Sequence, residues 1–127
     1  MTKKSPGSKT KTPLLDHIAE LALEKKAANV ISLDVRGLSS ITNHYLICSA
    51  DTEPQVKAIA DNIRRGTPDK PWHLEGYEKL KWVLLDYVDL VVHVFRSEER
   101  YYYNLEKLWA DAPIIEFSDE NTEKTTD

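Results

Sequence analysis

One cysteine, Cys48, serves all 127 residues. A lone thiol closes no disulfide within the chain and builds no thiolate zinc site, and such sparing use fits a reducing compartment, so the expectation is a cytoplasmic protein. Long apolar runs are also missing: none nears the roughly eighteen residues a membrane helix needs. The opening MTKKSPGSKTKT has lysines but no apolar stretch behind them, so it does not read as a signal peptide. Excess positive charge is absent too. The formal net charge is −4, the wrong sign for a broad phosphate-neutralising surface. That disfavours DNA or bare RNA as partner and favours a basic protein.

The sequence lacks the usual carriers of chemistry as well. No GxxxxGK[ST] or GxGxxG offers a phosphate cradle, and no GxSxG elbow presents a serine. No HExxH or HxxxH pairs two imidazoles, and the nearest His/acid pairing is His73 with Glu75 in HLE. Neither a resident metal nor an organic cofactor is therefore expected.

What remains is a chain that is 41% apolar, enough for one packed domain. Residues 1–12 are a polar, basic tail and 116–127 an acidic one, which leaves an α/β domain over 13–115. Thr12 is a candidate N-cap and Pro13 a first helical residue, opening a helix on which Leu14, Ile18, Leu21, Ala22 and Ala28 share a face. NVISLDV and HYLICSA read as strands around the loop RGLSSITN, in which Gly37 is free to take positive φ. DTEPQVKAIADNIRRG reads as a second helix, with Val56, Ile59, Ala60 and Ile63 as its buried stripe and Gly66 as its stop. WHLEGYE gives a short strand ending at Glu75-Gly76, and Trp82–Asp86 with Leu90–Phe95 a hairpin. SEERYYYNLEKLW predicts a third helix, N-capped by Ser97, with Glu98 and Glu99 at its positive end. The order implies a single mixed β-sheet of about five strands flanked by helices.

The stretch WVLLDYVDLVVHVF holds Asp86, Asp89 and His93 among apolar residues. His93 shares its strand face with Val91 and Phe95, which points to a core histidine. Asp89 falls in the turn, where aspartate bonds its own backbone. Asp86 shares a face with Trp82 and Leu84. An enzymatic alternative would gather Asp34, Asp86 and Asp89 around metal ions, but no Asp-x-Asp pair supports it. On a wheel of the last helix, Tyr101, Leu105, Leu108 and Trp109 form the core face, while Tyr103 points the other way beside Arg100 and Lys107. An aromatic beside an arginine on the wet side is a composition typical of interface hot spots.

These residues carry a resemblance. Trp82 through Phe95, followed by RYYYNLEKLW, resembles the carboxyl half of the ribosomal silencing factor family (RsfS, or Iojap); ANVISLDVRGLSSIT and VKAIAD resemble its front half. The similarity spans about residues 14–112. Two places depart from the family pattern: Thr42-Asn43 stands where Thr-Asp is usual, and SADTEPQ where a Gly-x-Ser turn precedes the second helix. The resemblance implies a degenerate nucleotidyltransferase-like sheet without catalytic function. It implies binding to the large ribosomal subunit through that subunit's ribosomal protein fourteen, blocked joining of the small subunit, repression of translation when nutrients are short, and a homodimer when free. On that reading Trp82 and Tyr103 are apolar anchors and Asp86 and Glu106 acceptors for basic partner groups. Arg100 is a cross-interface donor or a brace for those acids, and a pairing of Asp86 with Arg100 inside the monomer is the alternative. His93, Asp89, Leu105 and Trp109 are structural.

Overall fold

A computed structural model describes residues 13–118. The chain runs α1 (Pro13–Glu24), β1 (Ala28–Asp34), β2 (His44–Ala50), α2 (Glu53–Gly66), β3 (His73–Glu75), β4 (Trp82–Asp86), β5 (Leu90–Arg96), α3 (Ser97–Tyr103), α4 (Leu105–Leu108) and β6 (Ile114–Phe117). The strands form one six-stranded sheet in the order β3-β4-β5-β2-β1-β6. β2 and β5 pair in parallel at its centre, with α2 in the crossover, and the other neighbours are antiparallel.

Local chemistry explains most of these boundaries. Thr52 caps α2 by accepting from the Gln55 backbone N–H at 3.3 Å, and Pro54 sits in the first turn, where its missing N–H leaves nothing unpaired. The α2 stripe, with Leu15, Ile18, Ala19 and Ala22 of α1, is buried on one sheet face against Val30, Leu46, Val83, Leu85, Val92 and Val94. Each fully buried Leu or Ile there contributes about 1.5–3 kcal/mol. Gly76 has φ +81° in the β3–β4 link, and a Cβ on it would lie 1.9 Å from the Trp82 carbonyl oxygen. Only glycine lets β4 start where it does.

Several expectations need correction. α1 stops at Glu24, because Lys26 turns left-handed (φ 66°) and sends Ala28 into β1 instead of onto the helix face. Thr12 lies outside the described residues. A sixth strand was not foreseen: Ile114–Phe117 pairs antiparallel with Val30–Leu33, so the folded part passes residue 115 and takes in residues assigned to the acidic tail. That pairing is with the far end of the chain, which no local pattern reports. The rest of the tails lies outside the described residues.

The single helix over 97–109 is two. Asn104 takes the left-handed conformation (φ 48°, ψ 61°), ends α3 by donating its N–H to the Arg100 carbonyl, and caps α4 by accepting from the Lys107 N–H. Asparagine is among the few residues that adopt this geometry readily. Ser97 is not the N-cap either. Arg96 occupies that position without a side-chain capping bond, while the Ser97 hydroxyl donates to Asp51 at 2.8 Å and Glu98 and Glu99 accept from the Arg96 guanidinium.

Candidate functional site

The second sheet face carries a layer of rings. Trp82 stacks on its cross-strand neighbour Phe95 with centroids 4.7 Å apart, and Tyr103 folds onto Trp82 from α3 at 4.8 Å. Tyr102 meets Tyr103 edge-on at 5.0 Å. On the other flank His93 lies 5.9 Å from Trp82 and 5.2 Å from Tyr45, which reaches Trp109 at 5.7 Å. Offset and tilted rings at these separations attract beyond their buried area. Leu33, Val35, Ile47, Phe95 and Ala112 are buried beneath, with Leu105 and Trp109 half-buried against them.

The break at Asn104 overturns the helical wheel. Tyr101 is 88% exposed and Leu108 71% exposed, so neither belongs to the core. Tyr103 does not point away from the domain: half-exposed, it rests on Trp82.

His93 is a core residue, 4% exposed. Its Nδ1 accepts from the Trp82 indole N–H at 3.0 Å, and burial pushes its pKa down to about 4. It is therefore a neutral ring at physiological pH. Burial also drives the Cys48 thiol up to about 12, so this cysteine is no nucleophile.

The two turn aspartates exchange roles. Asp86, not Asp89, closes the turn with its side chain, its Oδ1 accepting from the Val88 N–H at 2.8 Å. Asp89 contributes its backbone, whose carbonyl accepts from the N–H groups of Asn43 and His44. The physical reason is Val88, left-handed at φ 77°, which turns its N–H back toward residue 86. The nearby Thr42 hydroxyl donates to the Val88 carbonyl at 2.9 Å, tying the loop after β1 to the same turn.

Arg100 does not meet Asp86. Its Nε and Nη2 donate to Glu106 Oε2 at 3.0 and 2.7 Å. Its Nη1 donates to the Asn29 carbonyl at 2.7 Å and the Ser49 hydroxyl at 3.2 Å. The register of β1 shifts between Ala28 and Ile31, with Asn29 at φ 51°, so a bulge frees these carbonyls and the guanidinium fills it. With only 11% of its side chain exposed, Arg100 clamps α3, α4, β1 and β2 together.

Asp34, Asp86 and Asp89 do not converge. Asp34 is bound by the Arg36 guanidinium, which holds its carboxyl below the usual range. It lies on β1, three strand spacings (roughly 14 Å) from β4, whereas paired catalytic metals sit about 4 Å apart. Among the described residues no three His, Cys, Asp or Glu side chains are grouped to hold a metal ion. His73 and Glu75 pair at 2.6 Å on the exposed edge strand β3. A shallow cavity of about 250 Å³, lined in part by Leu14, Pro68, Trp72, Tyr87 and Val88, opens at the far end of β4 from Trp82.

The family model described as "Ribosomal silencing factor during starvation" matches residues 8–127. Over 96 residues the chain is 48% identical to ribosomal silencing factor RsfS of Halalkalibacterium halodurans, covering 73% of this chain and 82% of that protein. Ribosomal silencing factor RsfS of Bacillus subtilis is 42% identical over 96 residues, 73% of this chain and 81% of its own length. Among solved structures, a crystal structure of a Chromobacterium violaceum protein superposes with a TM-score of 0.74 at 31% identity, covering 76% of this chain and 83% of that one. A mixed sheet with two helices sealing one face, a ring layer on the other, and agreement of this extent along the chain leave one assignment: the chain belongs to the ribosomal silencing factor family.

Proposed function

We propose that this protein is a non-enzymatic translational repressor of the cytoplasm. It docks on the large ribosomal subunit through that subunit's ribosomal protein fourteen, and its bulk then excludes the small subunit. The observation that carries this reading is the Trp82–Tyr103 pair, two tilted aromatic rings, Tyr103 half-exposed and Trp82 partly buried beneath it, on the sheet face that α1 and α2 leave uncovered. Rigid aromatics at a surface supply contact area with little conformational entropy to lose, which is why they dominate interface hot spots. Two acidic groups lie farther out, Glu106 on α4 and Asp86 at the other end of β4 from Trp82, roughly 13 Å along the strand. Both Arg100 bonds to Glu106 land on Oε2, which leaves Oε1 to accept from a basic partner group. Asp86 engages its backbone through Oδ1 and would offer Oδ2. Arg100 serves as the brace that holds Glu106 in place, not as a donor across the interface.

The test is sucrose-gradient sedimentation with separate large and small subunits, then with both mixed. The protein should travel with the large subunit and reduce the yield of joined particles. Trp82→Ala and Tyr103→Ala should each weaken that association by about thirty-fold, about 2 kcal/mol, while keeping the circular dichroism spectrum of the parent. Normal co-sedimentation of both variants would move the docking surface elsewhere.

A further inference from the structure

His93 sits near the middle of β5, opposite Ile47 on β2 and Leu84 on β4, and so is a diagonal neighbour of Trp82. With the indole N–H donating to Nδ1, the neutral ring must carry its own proton on Nε2. That N–H is buried and finds no hydrogen-bond partner among the described residues. An unpaired buried donor is destabilising, and so is withdrawing an ionisable ring from water. An apolar side chain of similar size would carry neither penalty. What the imidazole alone supplies is an acceptor, and the indole nitrogen makes no other hydrogen bond among the described residues. The contacts of Trp82 with Phe95 and Tyr103 are ring-on-ring and tolerate a half-turn of the indole about its Cβ–Cγ bond, which keeps the ring plane but redirects the N–H. The hydrogen bond does not.

We propose that His93 is a positioning residue for docking: its Nδ1 locks the Trp82 indole in the one orientation in which the partly buried ring presents its open edge to the partner. This rests on the docking role of Trp82 proposed above. It assigns a binding task to a side chain that is itself out of reach of any partner.

Two variants separate this task from packing. His93→Leu keeps apolar volume and removes the acceptor; His93→Asn keeps an oxygen near the place of Nδ1 and loses volume. Stability and affinity should move in opposite directions. His93→Leu should melt within a few degrees of the parent, or above it, yet bind large subunits about tenfold more weakly, the equivalent of one hydrogen bond. His93→Asn should melt lower and bind within about threefold of the parent. The ¹H–¹⁵N indole resonance of Trp82, assigned through Trp82→Phe, should lose its hydrogen-bonded shift in His93→Leu and keep it in His93→Asn. An unmoved resonance in His93→Leu overturns the proposal without reference to the ribosome. So does a moved resonance with parental affinity in His93→Leu while Trp82→Ala is impaired. Parental affinity in Trp82→Ala removes the docking role of the indole, and the positioning role falls with it.

Discussion

Under α1 and α2 the sheet is sealed. Val30, Leu46, Val83, Leu85, Val92 and Val94 are buried beneath two helices, and Cys48 is the one ionisable side chain among the buried members of that cluster. Under α3 and α4 the same strands present Tyr45, His93, Trp82 and Phe95, and the cover is two short helices that bury none of their own residues completely. One face is aliphatic and interlocked; the other is aromatic, partly wet, and held by directional bonds to His93 and Arg100. Aliphatic side chains fill space without orientation, which suits a core. Rings with polar tips fix an orientation at a boundary, which suits recognition. A small domain can thus keep its stability and its binding surface on opposite sides of one sheet.

The contrast can be broken. Leu46→Ala would empty a site in the sealed face and should lower the unfolding free energy by about 4 kcal/mol in urea titration. The variant that remains folded at low urea should bind as the parent does. A loss of affinity beyond the unfolded fraction would mean that the faces are not independent.

Acid should attack the ring face first. His93 has a folded pKa of about 4 against about 6.5 for the unfolded chain. Between those values the unfolded state binds the extra proton, so stability is full above pH 6.5 and falls as pH drops toward 4, by about 3 kcal/mol in all. Protonation also removes the acceptor at Nδ1. Near-UV circular dichroism, which reports the rings, should therefore change at a higher pH than the far-UV signal. Coincident transitions would show one cooperative unit with no weaker side. The mildest of these changes is Arg100→Ala, which strands the bulge carbonyl of Asn29 and frees Glu106. It should lower stability by about 2 kcal/mol in the same titration and weaken binding no more than Glu106→Ala does, and a binding deficit beyond that of Glu106→Ala would return Arg100 to the interface.

Legibility in the sequence followed the range of the forces involved. α2 is marked by a cap, a proline and a stripe, and β2 by the apolar run Tyr45–Cys48, and these local signals mark both nearly to the residue. The burial of His93 was legible from Val91 and Phe95 on its strand face. Its bond to Trp82 was not, because it crosses between strands. β6 is a four-residue strand whose partner lies some eighty positions earlier, so nothing local announces it. The turn at Asn104 did leave a signal, an asparagine inside a helical pattern, and with it the placement of Tyr101, Tyr103 and Leu108 would have come out differently. Arg100 stands out in the sequence beside Tyr103, but its task depends on a bulge at Ala28–Asn29 that no periodicity predicts.

The strand order has a consequence for biosynthesis. Because β6 closes the sheet against β1, the outer edge of the first strand made waits for the last one. A growing polypeptide therefore exposes unpaired N–H and C=O groups along residues 30–33 until Phe117 has left the tunnel, and an open strand edge is a template for unwanted association. The sealed half can condense early; the open edge of β1 is covered only once β6 has emerged.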